Sequence, residues 1–325
     1  MCNIKNYVDF KVLILLFSVS ATLAYGYFRL VDVPHYQVRL ELHNQIISGT
    51  ALSPYRYRVL VPFAEEISTR ALSSVLPGKA AFLVSYLIYD LLAILFLLVT
   101  LFCFLRTWFN REQALIGVLF VAGTMPIAFQ NHYFQPWSLF ESGLFSASLL
   151  AIYWQRYWLL ASLVLLAAIN RETAVFIPLT FLLTIDFKNL LNAKSMKEWK
   201  PILLFCGLFL IWAAVFFGLR YILGSAAHSD TIQGLLAQNT TKVSIFFTIV
   251  NGSLFLGGLW AFAFLGYRFA PSFIKRVTLI VPLYLLTILI WGVWKEVRLL
   301  MPLYPVLVAL GLSYLYPQEQ KTADI

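Results

Sequence analysis

The segment YWLLASLVLLAAINRETAVFIPLTFLL, residues 157–183, places the polar residues Asn170 to Thr173 between two apolar runs. A charged side chain at the centre of a bilayer costs about 2.5–3.5 kcal/mol on insertion scales. The segment is therefore either one long crossing with Arg171 and Glu172 in its middle, or two short helices joined by a polar turn. The choice sets the direction of every later helix.

The distribution of basic residues favours the polar turn. With the N-terminus inside and a turn at Asn170–Thr173, most Lys and Arg residues fall in inner loops, as the positive-inside rule requires. A single crossing would leave the two sides nearly equal in basic residues. We therefore predict an outward turn between helices of about 13 residues each, too short to span the hydrocarbon alone. Such a turn is expected to be recessed in a water-filled cavity.

The composition also indicates an integral membrane protein. The chain has 325 residues, of which 61% are hydrophobic and 12% charged, whereas soluble domains contain about 25% charged residues. We predict an all-α, polytopic transmembrane helical bundle of about 10 helices, forming a single integral membrane domain over residues 1–325 with a short tail at 316–325. The apolar runs predict helices near 12–28, 80–105, 113–129, 137–154, 157–169, 174–186, 201–223, 243–266, 277–293 and 299–315.

Charge and cysteine usage exclude other classes. The net charge of +9 is explained by basic residues in short loops, so nucleic-acid binding is not predicted. Cys103 and Cys206 lie in apolar runs, which argues against a disulfide framework. His35 and His43 do not have the spacing of a metal-binding pair, and no metal site is predicted.

The only long loop, residues 29–79, follows the first predicted helix. Apolar residues recur in it at near-helical spacing in two stretches, and Gly49 and Pro54 interrupt the pattern between them. We predict two amphipathic helices that lie at the outer interface.

With this topology, unusual polar residues gather on the outer side. Carboxylates and basic groups that share one semi-buried cavity indicate a site for a charged substrate. The candidate catalytic residues are Asp32, Glu141 and Glu172, and the candidate phosphate-binding residues are Arg56, Arg58, His132, Arg171, Lys295 and Arg298.

The residue types indicate a phosphate ligand and a hydroxyl acceptor. Arginine presents fixed, bidentate donors that match phosphate oxygens. A nearby carboxylate can act as general base toward a hydroxyl group. Asp32 directly follows the first helix, while Glu141 lies in an apolar helix with no acidic or basic neighbour in sequence.

Structural roles for the same residues remain open. Arg171 and Glu172 are also consistent with an ion pair that holds two short helices together, and Glu172 could instead pair with Arg298. Asp32 is also consistent with a helix cap, and His132 with a turn residue. The charges of the YRYR segment, residues 55–58, also suit anchors at the lipid headgroups.

Three blocks carry a resemblance to a known superfamily. SPYRYRVLVPF (53–63), INRETAVFIP (169–178) and KEVRLLMPLYPVLV (295–308) resemble blocks of bacterial polytopic proteins associated with the GT-C superfamily of glycosyltransferases. The resemblance also includes an acidic residue after the first helix and a long outer loop with two interfacial helices. This chain lacks the second acidic residue that some members carry next to the first, and a soluble C-terminal domain is not expected.

The resemblance implies an activity and a location. It implies transfer of a sugar from a polyprenyl-phosphate carrier to a glycan, lipid or protein acceptor at the outer, periplasmic face. It further implies Asp32 as general base, with Glu141 and Glu172 as alternatives, and outer arginines that hold the carrier phosphate. The reaction is expected to be metal-independent or assisted by a divalent cation. The expected location is the bacterial inner membrane, with both termini cytoplasmic.

Other function classes compete with this reading. Broken helices and intramembrane charges also occur in transporters and flippases of lipid-linked or anionic substrates, but those proteins typically carry internal repeats, and none is visible here. A non-enzymatic membrane assembly protein is a further alternative.

Overall fold

The computed structural model describes residues 9–129, 135–186 and 199–317, and these residues form helices without any strand. The first half contains α1 (Phe10–Tyr27), α2 (Tyr36–Ile47), α3 (Leu60–Leu72), α4 (Gly78–Leu105), α5 (Arg111–Thr124), α6 (Trp137–Tyr153), α7 (Tyr157–Asn170) and α8 (Phe176–Thr184). The second half contains α9 (Lys200–Leu223), α10 (Ile232–Asn239), α11 (Lys242–Leu254), α12 (Leu259–Gly266), α13 (Ser272–Thr278), α14 (Ile280–Trp291) and α15 (Tyr304–Leu315).

Seven helical segments in the described part of the chain are long and apolar enough to cross a membrane. They are Phe10–Asp32, Gly78–Leu105, Arg111–Phe129, Lys200–Leu223, Lys242–Phe269, Ser272–Trp291 and Val297–Leu315. The chain is therefore an all-helical protein with the character of a multi-pass membrane protein. The predicted number of about ten crossings is not reached, because α6, α7 and α8 are too short by this criterion.

Local signals explain where several helices begin. The Asp9 carboxylate accepts a hydrogen bond from the Val12 backbone N–H at 2.8 Å, which caps α1. Asn110 and Gln113 form a reciprocal capping box at the start of α5. Asp9 also pairs with Arg111 at 2.7 Å. These contacts bring the beginnings of α1 and α5 to the same end of the bundle.

The opposite end of the bundle carries the candidate site. We call it the loop face, and it consists of residues 33–77, 224–231 and 292–296. At this end the ring of Tyr27 meets the ring of Phe129 at a centroid distance of 4.9 Å. The ammonium of Lys79 lies 4.9 Å from the centre of the Tyr36 ring, so α4 begins where α2 begins.

Both helices predicted in the first loop are present, as α2 and α3. Gly49 follows α2 with a φ of +69°, a left-handed conformation that glycine adopts without strain, and its N–H donates to the Ile46 carbonyl. The chain then turns into a short 3₁₀ helix at Tyr55–Tyr57 before α3. The placement of these helices at a membrane interface stays a prediction.

α4 is the central helix of the larger hydrophobic core. It packs against α1, α3 and α6, and Leu97, Leu101 and Phe102 are fully buried. A second cluster joins α6, α7 and α8. By contrast, Leu208 is the only described residue of α9 that is buried, so α9 lies at the edge of the bundle.

Helices α12 and α15 approach so closely that glycine is required at one position. A Cβ added to Gly266 would overlap the backbone carbonyl oxygen of Leu310, which cannot rotate away. Overpacking of this kind typically costs 1–3 kcal/mol. We therefore expect Gly266→Ala to lower the free energy of unfolding in detergent micelles by about 1–3 kcal/mol. The matched control is Gly207→Ala in α9, where a Cβ would meet nothing within 4 Å; equal stability of the two variants would contradict the prediction.

Candidate functional site

A cavity of about 840 Å³ opens at the loop face and extends down between the helices. Its polar part is lined by Arg58, Gln135, Arg171, Glu172, Arg220, Asp230 and Glu296. The remaining lining is largely apolar and includes Leu179, Phe216, Leu283, Ile288 and Trp291. The cavity is therefore amphipathic, with charged groups at one part of its wall and aliphatic and aromatic groups along the rest.

The turn between α7 and α8 contributes the centre of the polar wall. α7 ends at Asn170, Arg171 is extended with φ −163° and ψ 147°, and a 3₁₀ turn from Glu172 leads into α8. The Asn170 side-chain amide donates to the Trp137 carbonyl at 3.2 Å. The predicted break at this position is confirmed.

The two helices that flank this turn run back past each other. The ring of Tyr157, at the start of α7, lies 6.2 Å from the ring of Phe181 in α8. The far end of α8 therefore returns toward the beginning of α7, which makes the pair a helical hairpin. Its polar tip, Arg171 to Thr173, lines the cavity, as the sequence predicts for a recessed turn.

Arg171 is held by Glu141 across the hairpin. Its Nη1 lies 2.7 Å from a carboxylate oxygen of Glu141, and both side chains are less than a tenth exposed. The hydroxyl of Thr173 donates to the other oxygen of Glu141. Glu141 is therefore the structural partner of the turn, with both oxygens engaged, and it does not line the cavity.

Arg58 is held in the same way from the first loop. Its Nε and Nη2 donate to the two carboxylate oxygens of Glu172, and its Nη1 donates to the Gln135 side-chain oxygen at 3.2 Å. Such bidentate pairing fixes both side chains. The contact joins the first loop to the α7–α8 turn, although the two segments are distant in sequence.

These contacts decide the structural alternatives that the sequence left open. Glu172 pairs with Arg58, so an Arg171–Glu172 pair and a Glu172–Arg298 pair are both wrong. Arg298 pairs instead with Glu296. Arg298 is buried and does not line the cavity, whereas Glu296 does.

Arg220 and Asp230, two of the charged residues of the lining, were missed by the sequence analysis. Arg220, near the end of α9, forms no ion pair with a described carboxylate; its Nη1 donates to the Phe216 carbonyl, and its guanidinium lies 4.4 Å from the centre of the Tyr57 ring. Asp230 is exposed and accepts a hydrogen bond from the Ser229 hydroxyl at 3.0 Å. Both residues lie in or beside a helix–loop junction without a motif, so no local signal marked them.

Arg220 and Asp230 are brought to the cavity by a tie between two loops. The Ser53 N–H donates to the Ala227 carbonyl at 2.9 Å, and the Ser229 N–H donates to the Ser53 carbonyl at 2.8 Å. The Tyr57 hydroxyl donates to the Gly224 carbonyl at 3.0 Å. Residues 224–231 are therefore fastened to the first loop and complete one wall of the cavity.

Several predicted site residues lie elsewhere. Arg56 donates to the carbonyls of Leu223 and Ser225 and is absent from the cavity lining, because its guanidinium closes the loop tie. Lys295 is also absent from the lining; its carbonyl accepts from the Asn251 side chain at 3.0 Å. His132 lies outside the described residues.

Asp32 is likewise not brought to the cavity. It is fully buried at the end of the first helix and pairs with Arg39 of α2. An acceptor hydroxyl could not reach a carboxylate that is covered on all sides. The sequence analysis predicted an accessible carboxylate in a loop. In the structure α2 folds back over the end of α1 and covers Asp32.

Other ionisable groups of the first loop form a separate cluster beside Asp32. Burial raises the pKa of Glu65 to about 7, although the Ser85 hydroxyl donates to its carboxylate. A hydrogen bond with His43 lowers the pKa of Glu66, and burial lowers the pKa of His43. These groups lie on α2 and α3, away from the cavity lining.

Within residues 9–129, 135–186 and 199–317, no three His, Cys, Asp or Glu side chains form a group that could hold a metal ion. The involvement of a divalent cation stays a prediction. Comparison of the chain with protein-family models, curated proteins and solved structures found no match.

Proposed function

We propose that this chain is a membrane glycosyltransferase that takes a sugar from a polyprenyl-phosphate carrier and places it on a hydroxyl acceptor. The observation that supports the proposal is the amphipathic cavity. A lipid-linked phosphate needs cationic donors for its head and an apolar path for its tail, and the cavity offers both. In this proposal α6, α7 and α8 complete a GT-C-like bundle of about ten crossings in a bacterial inner membrane, with cytoplasmic termini and the loop face outward.

Charge pairing within the lining supports a role for Arg220. Arg58 and Arg171 each have a carboxylate partner, Glu172 and Glu141 respectively. Arg220 has no such partner among the described residues, so its charge is available to a ligand. We assign it the carrier phosphate. As the sugar leaves, Arg220 stabilises the negative charge that grows on the phosphate.

The ion pairs of the lining also support Asp230 as general base in place of Asp32. Of the three carboxylates that line the cavity, Glu172 pairs with Arg58 and Glu296 pairs with Arg298. Among the described residues, only the neighbouring hydroxyl of Ser229 donates to Asp230. In the proposed step, the oxygen of the acceptor hydroxyl bonds to the anomeric carbon while Asp230 takes the proton of that hydroxyl. The bond from that carbon to the phosphate oxygen breaks, and the lipid phosphate leaves with the electron pair.

The apolar lining suggests where the carrier tail lies. Phe216 belongs to α9, Leu283 and Ile288 belong to α14, and Leu179 of α8 lies in the wall shared with them. Since Leu208 is the only described residue of α9 that is buried, the gap between α9 and α14 faces the surface that lipid would cover. A polyprenyl chain could enter the cavity sideways through this gap.

Donor binding and consumption test the proposal. With the purified protein in lipid nanodiscs and a radiolabelled polyprenyl-phosphate sugar, we expect saturable binding, and label transfer when an acceptor-containing membrane extract is added. Arg220→Gln should weaken donor binding at least about tenfold, because a charge-assisted hydrogen bond to phosphate is worth more than about 1.4 kcal/mol. The matched control is Arg268→Gln, an exposed arginine beside Phe269 that does not line the cavity. Equal donor binding by the two variants would count against the phosphate role.

One observation favours a transporter as a second candidate. The α7–α8 hairpin interrupts an apolar segment with a charged tip, at which Arg171 is extended. Transporters use charged helix breaks of this kind to bind substrates. The same preparation distinguishes the two functions. A transporter reconstituted in vesicles would move the labelled donor across the membrane with the sugar–phosphate bond intact, whereas a transferase would release unglycosylated lipid phosphate.

A further inference from the structure

A second polar site lies inside the bundle, away from the cavity. Asp90 of α4 is fully buried within a segment that is apolar enough to cross a membrane. Neither of its carboxylate oxygens has a hydrogen-bond partner among the described residues. The proposed transfer reaction does not use this residue, so its burial requires a separate explanation.

The cation that interacts with Asp90 already has a carboxylate partner. Arg39 of α2 pairs with Asp32, and its guanidinium lies 4.0 Å from the centre of the Tyr86 ring. Tyr86 and Asp90 are one helical turn apart on the same face of α4, and the charge of Arg39 reaches Asp90. One guanidinium thus serves two buried carboxylates. If both were ionised, an uncompensated negative charge would remain, which costs several kcal/mol in a protein interior.

The other groups around Asp90 do not supply a second positive charge. Several titratable or charged side chains interact with Asp90 or with its immediate partners. They are Tyr27 and Asp32 from the first helix, Arg39 and His43 from α2, Glu65 from α3, Tyr86 and Tyr89 from α4, and Arg298 from the 3₁₀ segment before α15. Arg298 forms an ion pair with Glu296. A proton bound to one carboxylate would neutralise the remaining negative charge of the cluster.

A chain of polar contacts leads to the surface from Tyr86, which lies one helical turn from Asp90. The Tyr86 hydroxyl lies 3.1 Å from Nδ1 of His43, and Nε2 of His43 lies 3.0 Å from a carboxylate oxygen of Glu66. Glu66 is 24% exposed and pairs with the exposed Arg70. Histidine can accept a proton at one ring nitrogen and release one at the other, so His43 is suited to pass protons between the exposed carboxylate and the interior.

We propose that Asp90, with Asp32 and Arg39, forms a proton-binding site that exchanges with the loop face through Tyr86, His43 and Glu66. The bound proton keeps α2 docked on α1 and α4, because it removes the surplus negative charge that competes with Asp32 for Arg39. α2 leads directly into the segment that carries Tyr55 and Arg58 to the cavity. The site is independent of the proposed glycosyl transfer and holds whether the cavity binds a donor for transfer or for transport.

Infrared difference spectroscopy of the protein in nanodiscs tests the proposal without any substrate. A carboxylic acid C=O band should persist in the wild type at mildly alkaline pH, above the pKa of Glu65, and Asp90→Asn should abolish it. Glu65→Gln is the matched control, because Glu65 is another buried carboxyl group in this region and burial raises its pKa to about 7. The band should survive in Glu65→Gln. Asp90→Glu provides a second variant that keeps the acid group and should shift the band instead of removing it.

The relay and the docking of α2 have their own readouts. His43→Gln should leave the band in place but slow its shift when the solvent is changed to D₂O. Relative to the intrinsic exchange rate at each pH, protection of the α2 backbone should fall in the wild type at the pH where the band disappears, and it should stay constant in Asp90→Asn. An unchanged band in Asp90→Asn, or loss of the band in Glu65→Gln, would assign the proton elsewhere and overturn the proposal. If Asp90→Asn fails to fold, an absent band in the wild type or an unshifted band in Asp90→Glu would overturn it equally.

Discussion

Replacing Asp230 by Asn is expected to lower the rate of glycosyl transfer by about 10²–10⁴-fold, the range that a general base contributes. Asn keeps the shape of the side chain and can still accept the hydrogen bond from Ser229, but it cannot take a proton from the acceptor. Asp230 is exposed on a loop held by backbone contacts to Ser53, so the variant should fold normally. Donor binding should be nearly unchanged, since the carrier phosphate is assigned to Arg220. The measurement is single-turnover transfer from the labelled donor at saturating concentration.

Two comparisons make the Asp230 prediction specific. Glu112→Gln changes an exposed carboxylate in the first turn of α5, at the end of the bundle opposite the loop face, and should leave transfer unaffected. Glu296→Gln changes a carboxylate of the lining that already pairs with Arg298. Full activity of Asp230→Asn together with inactivity of a folded Glu296→Gln would move the role of the base to Glu296.

Replacing Arg171 by Ala is expected to lower the free energy of unfolding by about 3–5 kcal/mol, the cost of breaking a buried ion pair by removing one partner. The variant leaves the Glu141 carboxylate in an apolar helix, with Thr173 as its one remaining donor among the described residues. The tip of the α7–α8 hairpin should loosen as a consequence. Chemical unfolding in detergent micelles, followed by tryptophan fluorescence, gives the change in stability.

The control for the Arg171 prediction is an ion pair of the same residue types on the surface. Arg111 pairs with Asp9, and both side chains are 48% exposed, so Arg111→Ala should cost no more than about 1 kcal/mol. The double variant of Arg171→Met with Glu141→Met should recover much of the loss, because it removes both buried charges together. Similar effects of Arg171→Ala and Arg111→Ala would show that the buried pair contributes no special stability.

Local sequence information was sufficient for the helices but insufficient for the site. The predicted helices at 113–129 and 201–223 agree within two residues with Arg111–Phe129 and Lys200–Leu223, since the length of an apolar run and the caps beside it are local properties. Arg58, Arg171 and Glu172 were predicted as site residues and do line the cavity. Arg220 and Asp230 were missed because a single charge near a helix end has the same local pattern whether it faces a cavity or open solvent.

Asp32 illustrates the opposite error. An acidic residue after a first helix is exposed if the following loop stays away from the bundle, and it is covered if that loop folds back. Arg39, seven positions later, decides between these outcomes by pairing with Asp32 from α2. The strength of that pairing depends on how deeply the neighbouring helices bury the two side chains. The sequence of the loop alone does not specify this burial.

The amino-acid sequence by itself determined that this chain is a helical membrane-type protein, where its long helices run, and that 157–183 breaks at Arg171. Those properties follow from hydrophobicity and periodicity summed over neighbouring residues. The tertiary structure alone decided which arginine meets which carboxylate, and therefore which charges remain free in the cavity. Ion pairs such as Arg58–Glu172 join residues more than a hundred positions apart, and their distances are set by how the helices pack.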